Sequence, residues 1–388
     1  MRSIIKSKTF STGLAMFAMF FGAGNSIFPL MIGYQAQDKT LFAIFGLLLT
    51  AVLVPFAGLI GMILFDGDYN KFFERIGRVP GYLVAILIMM LLGPFGATPR
   101  CIAMSFSTLK VSFPGMNAEL FSAIACCVVF AFTIKKNRIL DLIGLVLTPI
   151  LVVFLGIIIV KGLLFNEGNL SSSQHGWSVF INGLQEGYNT MDLLGAFFFA
   201  PVILAGFRKG SDPENCPVST KRIFRSAIYA SYIGAFLLTV TYIGFCYIAS
   251  FHGHGLEIAG PDELIGAIAV RIIGPSAGVI ASMIVSLACL TTAIALTTVF
   301  AEFFQSVICR GKIAYEVSLV LTLMVTYLFS TLEFSGIAAF LVPILQVCYP
   351  ALIVLTFFNI MNRLGYFQTV KRPVFFTFAA SLLSYFWL

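Results

Sequence analysis

Gly22-Ala23-Gly24-Asn25-Ser26-Ile27-Phe28-Pro29 interrupts the first long apolar run of the chain, which extends from Phe10 to about Gly33. The run is long enough to cross a bilayer, yet two glycines, an asparagine and a proline sit in its middle. Glycine frees the backbone, and proline removes a donor and clashes with the turn before it. A helix broken at mid-depth has N–H and C=O groups without intrahelical partners. Hydrocarbon cannot satisfy them, so they face protein, water or a bound solute. The break is therefore a candidate binding site.

The rest of the chain reads as membrane-embedded. Mean hydropathy is +0.98, 59% of the 388 residues are hydrophobic and 11% are charged. Apolar stretches of about 20 residues cross a hydrocarbon core of roughly 30 Å. They predict eleven spans, at 10–33, 41–64, 82–109, 118–134, 141–164, 188–206, 223–250, 275–306, 314–332, 336–360 and 374–388. The expected fold is an all-α polytopic membrane protein, with residues 1–388 forming one integral membrane domain. Nineteen of the 24 Lys and Arg fall on one side of the alternation, among them Lys6, Arg75, Lys136, Arg225, Lys312 and Lys371. Lys39, Lys110, Lys161 and Arg271 fall on or near the other side, and Arg100 lies within a span. The positive-inside rule then puts the N-terminus in the cytoplasm and the chain in the cytoplasmic membrane. The net charge of +7 follows from this asymmetry, and no polar segment is large enough for a nucleic-acid-binding domain. The basic N-terminus also fits a signal peptide, but its apolar run continues as a full span.

The eight cysteines are scattered, without a CxxC or Cys/His cluster. His175, His252 and His254 all fall in outside loops. No organic cofactor and no obligate protein partner is expected. The chain carries no nucleotide-binding GxxxxGK[ST] motif, so any energy it uses should come from an ion gradient.

A second interruption opens the sixth span, at Glu186-Gly187-Tyr188-Asn189-Thr190-Met191-Asp192-Leu193-Leu194-Gly195, followed by Pro201. Asp192 is an acid in an apolar segment, where charge is costly and marks paired or functional sites. Interruptions in spans one and six divide the chain into five-helix units, 10–164 and 188–360, with 374–388 as a short peripheral helix. Units of odd number enter the membrane from opposite sides, which makes an inverted repeat. Paired Gly/Pro-interrupted helices in corresponding positions point to a transporter binding site. In the eighth span, Ala288, Thr291 and Thr292 stand at i, i+3 and i+4 on one helical face. One carbonyl and two hydroxyls form a hard oxygen set suited to an alkali cation. Small residues and threonines also pack helices together, and both readings stand on the residues alone.

These segments resemble the branched-chain amino acid transport system II carriers, the branched-chain amino acid:cation symporters. GLAMFAMFFGAGNSIFPLMIG at 13–33 and LACLTTAIALT at 287–297 carry the specific likeness. GPFGATPR at 93–100 and EGYNTMD at 186–192 support it. The resemblance implies the amino acid–polyamine–organocation superfamily and a 5+5 inverted-repeat core like that of the bacterial leucine transporter. That group carries a similar Gly-x-Gly-Asn-x-x-Phe-Pro stretch, matched here by Gly22, Gly24, Asn25, Phe28 and Pro29. By the likeness, free N–H groups of Ala23 and Gly24 meet a substrate carboxylate. Carbonyls near Ala18 and Phe21, with Ala288, Thr291 and Thr292, would hold Na+. The family usually has about twelve spans, so this chain is short at its C-terminal end.

The expected function is cation-coupled uptake of leucine, isoleucine and valine by alternating access, with membrane lipid and the amino acid as partners. A half-helix N-terminus suits a carboxylate. Tyr188, Asn189 and Thr190 offer acceptors for an ammonium, and Phe20 and Phe21 offer apolar walls. Selectivity among branched side chains is expected to be loose, because a methylene is worth about 1–3 kcal/mol. Arg100 stands about 18 residues into span three, about 27 Å from the inside, and Asp192 about 4 residues into span six, a depth of about 24 Å. Either the two form an ion pair, or Asp192 meets the ammonium or a cation. Sodium is the preferred driver, a proton carried by Asp192 is the alternative, and a non-transporting amino acid sensor on the same fold is a third reading.

Overall fold

The computed structural model describes residues 2–134, 148–165, 172–209, 220–256 and 260–387. Every regular element among them is helical. The first span is broken into α1 (Arg2–Phe20) and α2 (Ala23–Ala36). The second joins α3 (Thr40–Leu48) to α4 (Val54–Leu64) through a π-helical turn at Leu49–Leu53. A short α5 (Tyr69–Phe73) leads to the third span, α6 (Arg78–Leu92) and α7 (Ala97–Lys110). The fourth and fifth are α8 (Ala118–Thr133) and α9 (Thr148–Leu164). The sixth is α10 (Gly176–Asn189) and α11 (Asp192–Lys209), and the seventh is α12 (Thr220–His252). A short α13 (Leu264–Ile273) precedes the eighth, α14 (Pro275–Phe303). The last three are α15 (Tyr315–Ser330), α16 (Glu333–Arg363) and α17 (Lys371–Trp387). The predicted start of span five at 141, Lys136, Cys216 and Leu388 lie outside the described residues.

Exposed apolar side chains, including Phe45, Leu53, Val153, Tyr232 and Leu328, cover the outer faces of these spans. A protein in water would bury them, whereas a bilayer accepts them. The packing inside has a five-span period. Span one packs on span seven, as span six packs on span two. Span five touches seven as ten touches two, and spans three and eight lie against each other. The breaks of spans one and six are thereby brought together.

Two boundaries differ from the sequence expectation. The sixth span begins at Gly176 rather than 188, because α10 carries Asn182, Gln185 and Glu186 and so has too little hydropathy to read as a membrane segment. Asp192 then follows 14 residues of helix, about 21 Å at 1.5 Å per residue, and sits mid-span rather than near the outer surface. The third span, expected to be continuous, is interrupted at Gly93–Gly96.

Span two and α10 meet backbone to backbone. A Cβ at Gly183 would press on the Ala43 carbonyl and stand 3.1 Å from the Leu47 nitrogen. A Cβ at Gly187 would overlap the Thr50 hydroxyl, which donates to the Leu184 carbonyl at 3.0 Å. Small residues four apart allow such close approach in membranes. Gly187→Leu is expected to lower the thermal unfolding midpoint of the detergent-purified protein, at a cost of about 2 kcal/mol or more from overpacking. Gly156→Leu, where an added Cβ meets nothing within 4 Å, should leave the midpoint unchanged, as read by size-exclusion after heating.

Candidate functional site

Between α1 and α2 the regular ladder stops. Phe21 N–H bonds to the Phe17 carbonyl, but Gly22 N–H turns back to Phe20 at 2.8 Å and to the Asn25 side chain at 3.3 Å. A continuing helix would have paired Gly22 with Ala18, so the break leaves the Ala18 carbonyl open. The first bond of α2 is Ser26 N–H to the Gly22 carbonyl. Ala23 and Gly24 thus precede any backbone acceptor, and their N–H groups form the positive end of a 14-residue helix. Span six breaks at Thr190-Met191, with a 40° bend. Met191 is held at φ +64°, a left-handed backbone unusual for a side chain of its size. The freed N–H of Leu193 bonds to the Tyr349 hydroxyl at 3.1 Å.

The two breaks line one cavity of about 390 Å³ to its open edge, with the third and eighth spans closing it. Gly22, Ala23, Gly24, Asn25, Thr190 and Asp192 all border it. Met19, Phe20, Phe199 and Leu296 supply apolar wall. The Asp192 carboxylate accepts from Asn25 Nδ2 at 2.7 Å and from the Tyr242 hydroxyl at 3.0 Å, and Asn25 also contacts that hydroxyl. All three side chains are buried, as is Arg100, which borders the same cavity. Arg100 donates from Nη2 to the Asn189 carbonyl at 2.8 Å. Among the described residues the ion pairs within 4.0 Å are Lys39–Asp38 and Lys71–Asp68. The expected direct Arg100–Asp192 pair is therefore replaced by separate partners: polar neighbours hold Asp192, and a backbone carbonyl holds Arg100.

A second cavity lies alongside, lined by Ala18, Phe21, Thr148, Ala288 and Thr291. Thr291 and Thr292 hydroxyls reach the Ala288 carbonyl at 2.7 and 3.1 Å, and Thr292 reaches the Phe21 carbonyl at 3.4 Å. The five residues singled out for a cation thus converge in space. With the open Ala18 carbonyl they present hard oxygens, which suit an alkali cation better than a soft metal. No group of three or more His, Cys, Asp or Glu clusters among the described residues. Thr292 links the two sites: its hydroxyl reaches the Phe21 and Ala288 carbonyls, and it borders the cavity at the breaks, where its methyl faces Gly22.

Two expected contacts fall elsewhere. Tyr188 stacks on Tyr349 at 4.7 Å rather than lining the cavity. The Asn189 side chain turns to Glu186 at 3.0 Å, and only its carbonyl reaches the site, through Arg100. Sequence reasoning missed Tyr242, Tyr349 and Thr148. The polar run Thr239-Val240-Thr241-Tyr242 within an apolar span was the available signal for the first.

Broken helices meeting at a buried polar cavity, in a bundle with an apolar exterior, define a polytopic membrane transporter. Solved structures share the fold. They include Mhp1, a nucleobase-cation-symport-1 family transporter in a closed conformation with bromovinylhydantoin bound, at TM-score 0.61 and 15% identity over 90% of this chain and 77% of that one. MhsT in complex with L-phenylalanine has TM-score 0.56 and 14% identity over 97% and 98%. At the level of sequence, residues 5–386 match the family described as branched-chain amino acid transport protein, and the chain belongs to that family. Relatives include the branched-chain amino acid permeases BrnQ of Corynebacterium glutamicum, 28% identical over 92% of this chain and 82% of that protein, and of Escherichia coli K12, 29% identical over 89% and 79%. These are named as permeases, and the chain is a transporter rather than an enzyme.

Tyr242→Phe removes a hydrogen-bond donor to the buried Asp192 carboxylate. It is expected to destabilise the purified protein by about 1–3 kcal/mol. The same change in an Asp192→Asn background should cost less, because the two side chains share one network. Equal costs in the two backgrounds, measured by thermal unfolding, would deny the linkage.

Proposed function

We propose that the protein takes up leucine, isoleucine and valine across the cytoplasmic membrane by cation-coupled alternating access, with Na+ as the driving ion. The observation that carries this reading is the sharing of Thr292 between the cavity at the two breaks and the oxygen cluster on α1 and α14. A cation drawing on the Phe21 and Ala288 carbonyls would fix the end of α1, and with it the start of α2 that borders the substrate cavity. Occupancy of one site then shapes the other, as coupling requires. Gly22, Ala23, Gly24, Asn25 and Thr190 are the proposed substrate-binding residues. Ala18, Phe21, Ala288, Thr291 and Thr292 are the proposed cation ligands, with Thr148 added because it borders the same cavity.

The five-span period of the packing supports two inverted repeats, the second beginning at Gly176 instead of 188. The distribution of Lys and Arg supports an N-terminus in the cytoplasm. A second reading, proton coupling, draws on the buried Asp192 carboxylate and its two donors. The relatives' names support the choice of substrate, since both are called branched-chain amino acid permeases.

Uptake of labelled leucine into proteoliposomes separates the readings. Accumulation is expected with an inward sodium gradient and lost when potassium replaces sodium. Thr292→Val keeps the shape but removes the hydroxyl, and it should lower sodium-driven uptake at least about tenfold, the equivalent of one lost polar contact. Thr292→Ser should retain most of it. Accumulation with a proton gradient alone would move coupling to Asp192, and leucine binding without accumulation would indicate a sensor.

A further inference from the structure

Arg100 is a buried cation with no carboxylate within ion-pair distance among the described residues. It is 3% exposed, and its Nε has no hydrogen-bond partner. Its Nη2 donates to the Asn189 carbonyl, a neutral group. Phe28 and Phe334 lie against the guanidinium at 5.2 and 5.7 Å from their ring centroids. Aromatic faces favour a cation, but they do not replace a counter-anion in a desolvated site. Arginine cannot escape the cost by losing its proton. Its position is equally specific. Nη2 touches the point where a Cβ on Gly24 would stand, so the guanidinium lies directly against the first turn of α2. The unpaired backbone N–H of Gly24 and the guanidinium edge therefore border the same corner of the cavity.

Asp192, which borders the same cavity, carries the opposite charge. Its carboxylate receives two neutral donors, Asn25 and Tyr242, and no cationic side chain within 4.0 Å. Two unlike charges thus border one cavity without joining. We infer that Arg100 is the receptor for the substrate carboxylate, together with the Gly24 N–H, and that Asp192 receives the substrate ammonium. This assignment rests on the amino acid transport proposed above. The zwitterion completes an ion chain that the empty protein leaves open. Arginine suits the task because its planar edge presents two parallel donors to the two oxygens of a carboxylate. A ligand must then carry both charges at α-amino acid spacing, while the apolar wall reads only the side chain.

The test is equilibrium binding to the purified full chain in lipid nanodiscs. Three probes are used: leucine, isoamylamine, which lacks the carboxylate, and 4-methylpentanoate, which lacks the amine. The wild type should bind leucine at least tenfold more tightly than either analogue. Arg100→Gln should weaken leucine at least tenfold and leave isoamylamine within twofold, and Asp192→Asn should do the reverse, sparing 4-methylpentanoate. Arg100→Lys should recover part of the leucine affinity, and it keeps the test open if the glutamine variant does not fold. Leucine affinity surviving in Arg100→Gln would overturn the assignment and leave the transport reading intact. Equal losses of leucine and isoamylamine would also overturn it, by reducing Arg100 to a structural role. Absence of leucine binding by the wild type would overturn the transport reading, and this assignment with it.

Discussion

Backbone groups freed inside a membrane are the constraint on which the rest of this structure depends. Each break exposes polar atoms where water and lipid cannot serve them, and each is answered by a group from elsewhere in the fold. Asn25 turns its side chain back to Gly22, and Tyr349 on the tenth span lends a hydroxyl to Leu193. Thr292 on the eighth reaches the Phe21 carbonyl, and Arg100 on the third reaches that of Asn189. Among the described residues, the buried Arg100 and Asp192 both stand at the cavity that the two interruptions line. The groups left over, at Ala18, Gly24 and the Arg100 guanidinium, are those facing the two cavities.

Thr292 shows how little material separates the sites. Its methyl borders the cavity at the breaks beside Gly22, and its hydroxyl turns to the Phe21 and Ala288 carbonyls. The separation between the sites is one β-branched side chain, whose χ1 is restricted by its two branches. A stiff residue in that position transmits a shift at one face to the other without intervening slack.

Much of this was legible in the residues. The Gly22–Pro29 interruption, the i, i+3, i+4 oxygen face at Ala288, Thr291 and Thr292, and the acid at Asp192 are local patterns, and the fold brings them to the edges of the two cavities. What escaped depends on contacts between distant segments. Hydropathy could not reveal α10 as the outer half of span six, because its polar residues lower the average while its glycines earn burial through backbone contact with span two. Agreement in depth suggested an Arg100–Asp192 pair, and both do border one cavity, yet depth does not say which polar neighbours each meets. Tyr242 enters the site only because span seven packs on both halves of span one. That pairing has no mark in the local sequence.

The contact of Gly183 and Gly187 with span two has a mechanical consequence. Helices separated by side chains can roll on one another, since rotamers adjust as ridges pass over grooves. Here the carbonyl of Ala43 and the hydroxyl of Thr50 lie in the notches left by two glycines. A small rotation of either helix about its own axis would drive backbone into backbone. The outer half of span six is therefore keyed to span two like a shaft in a slot. Any rearrangement at the Thr190-Met191 bend must be taken up by α11 on its inner side, or must carry span two along as a rigid pair.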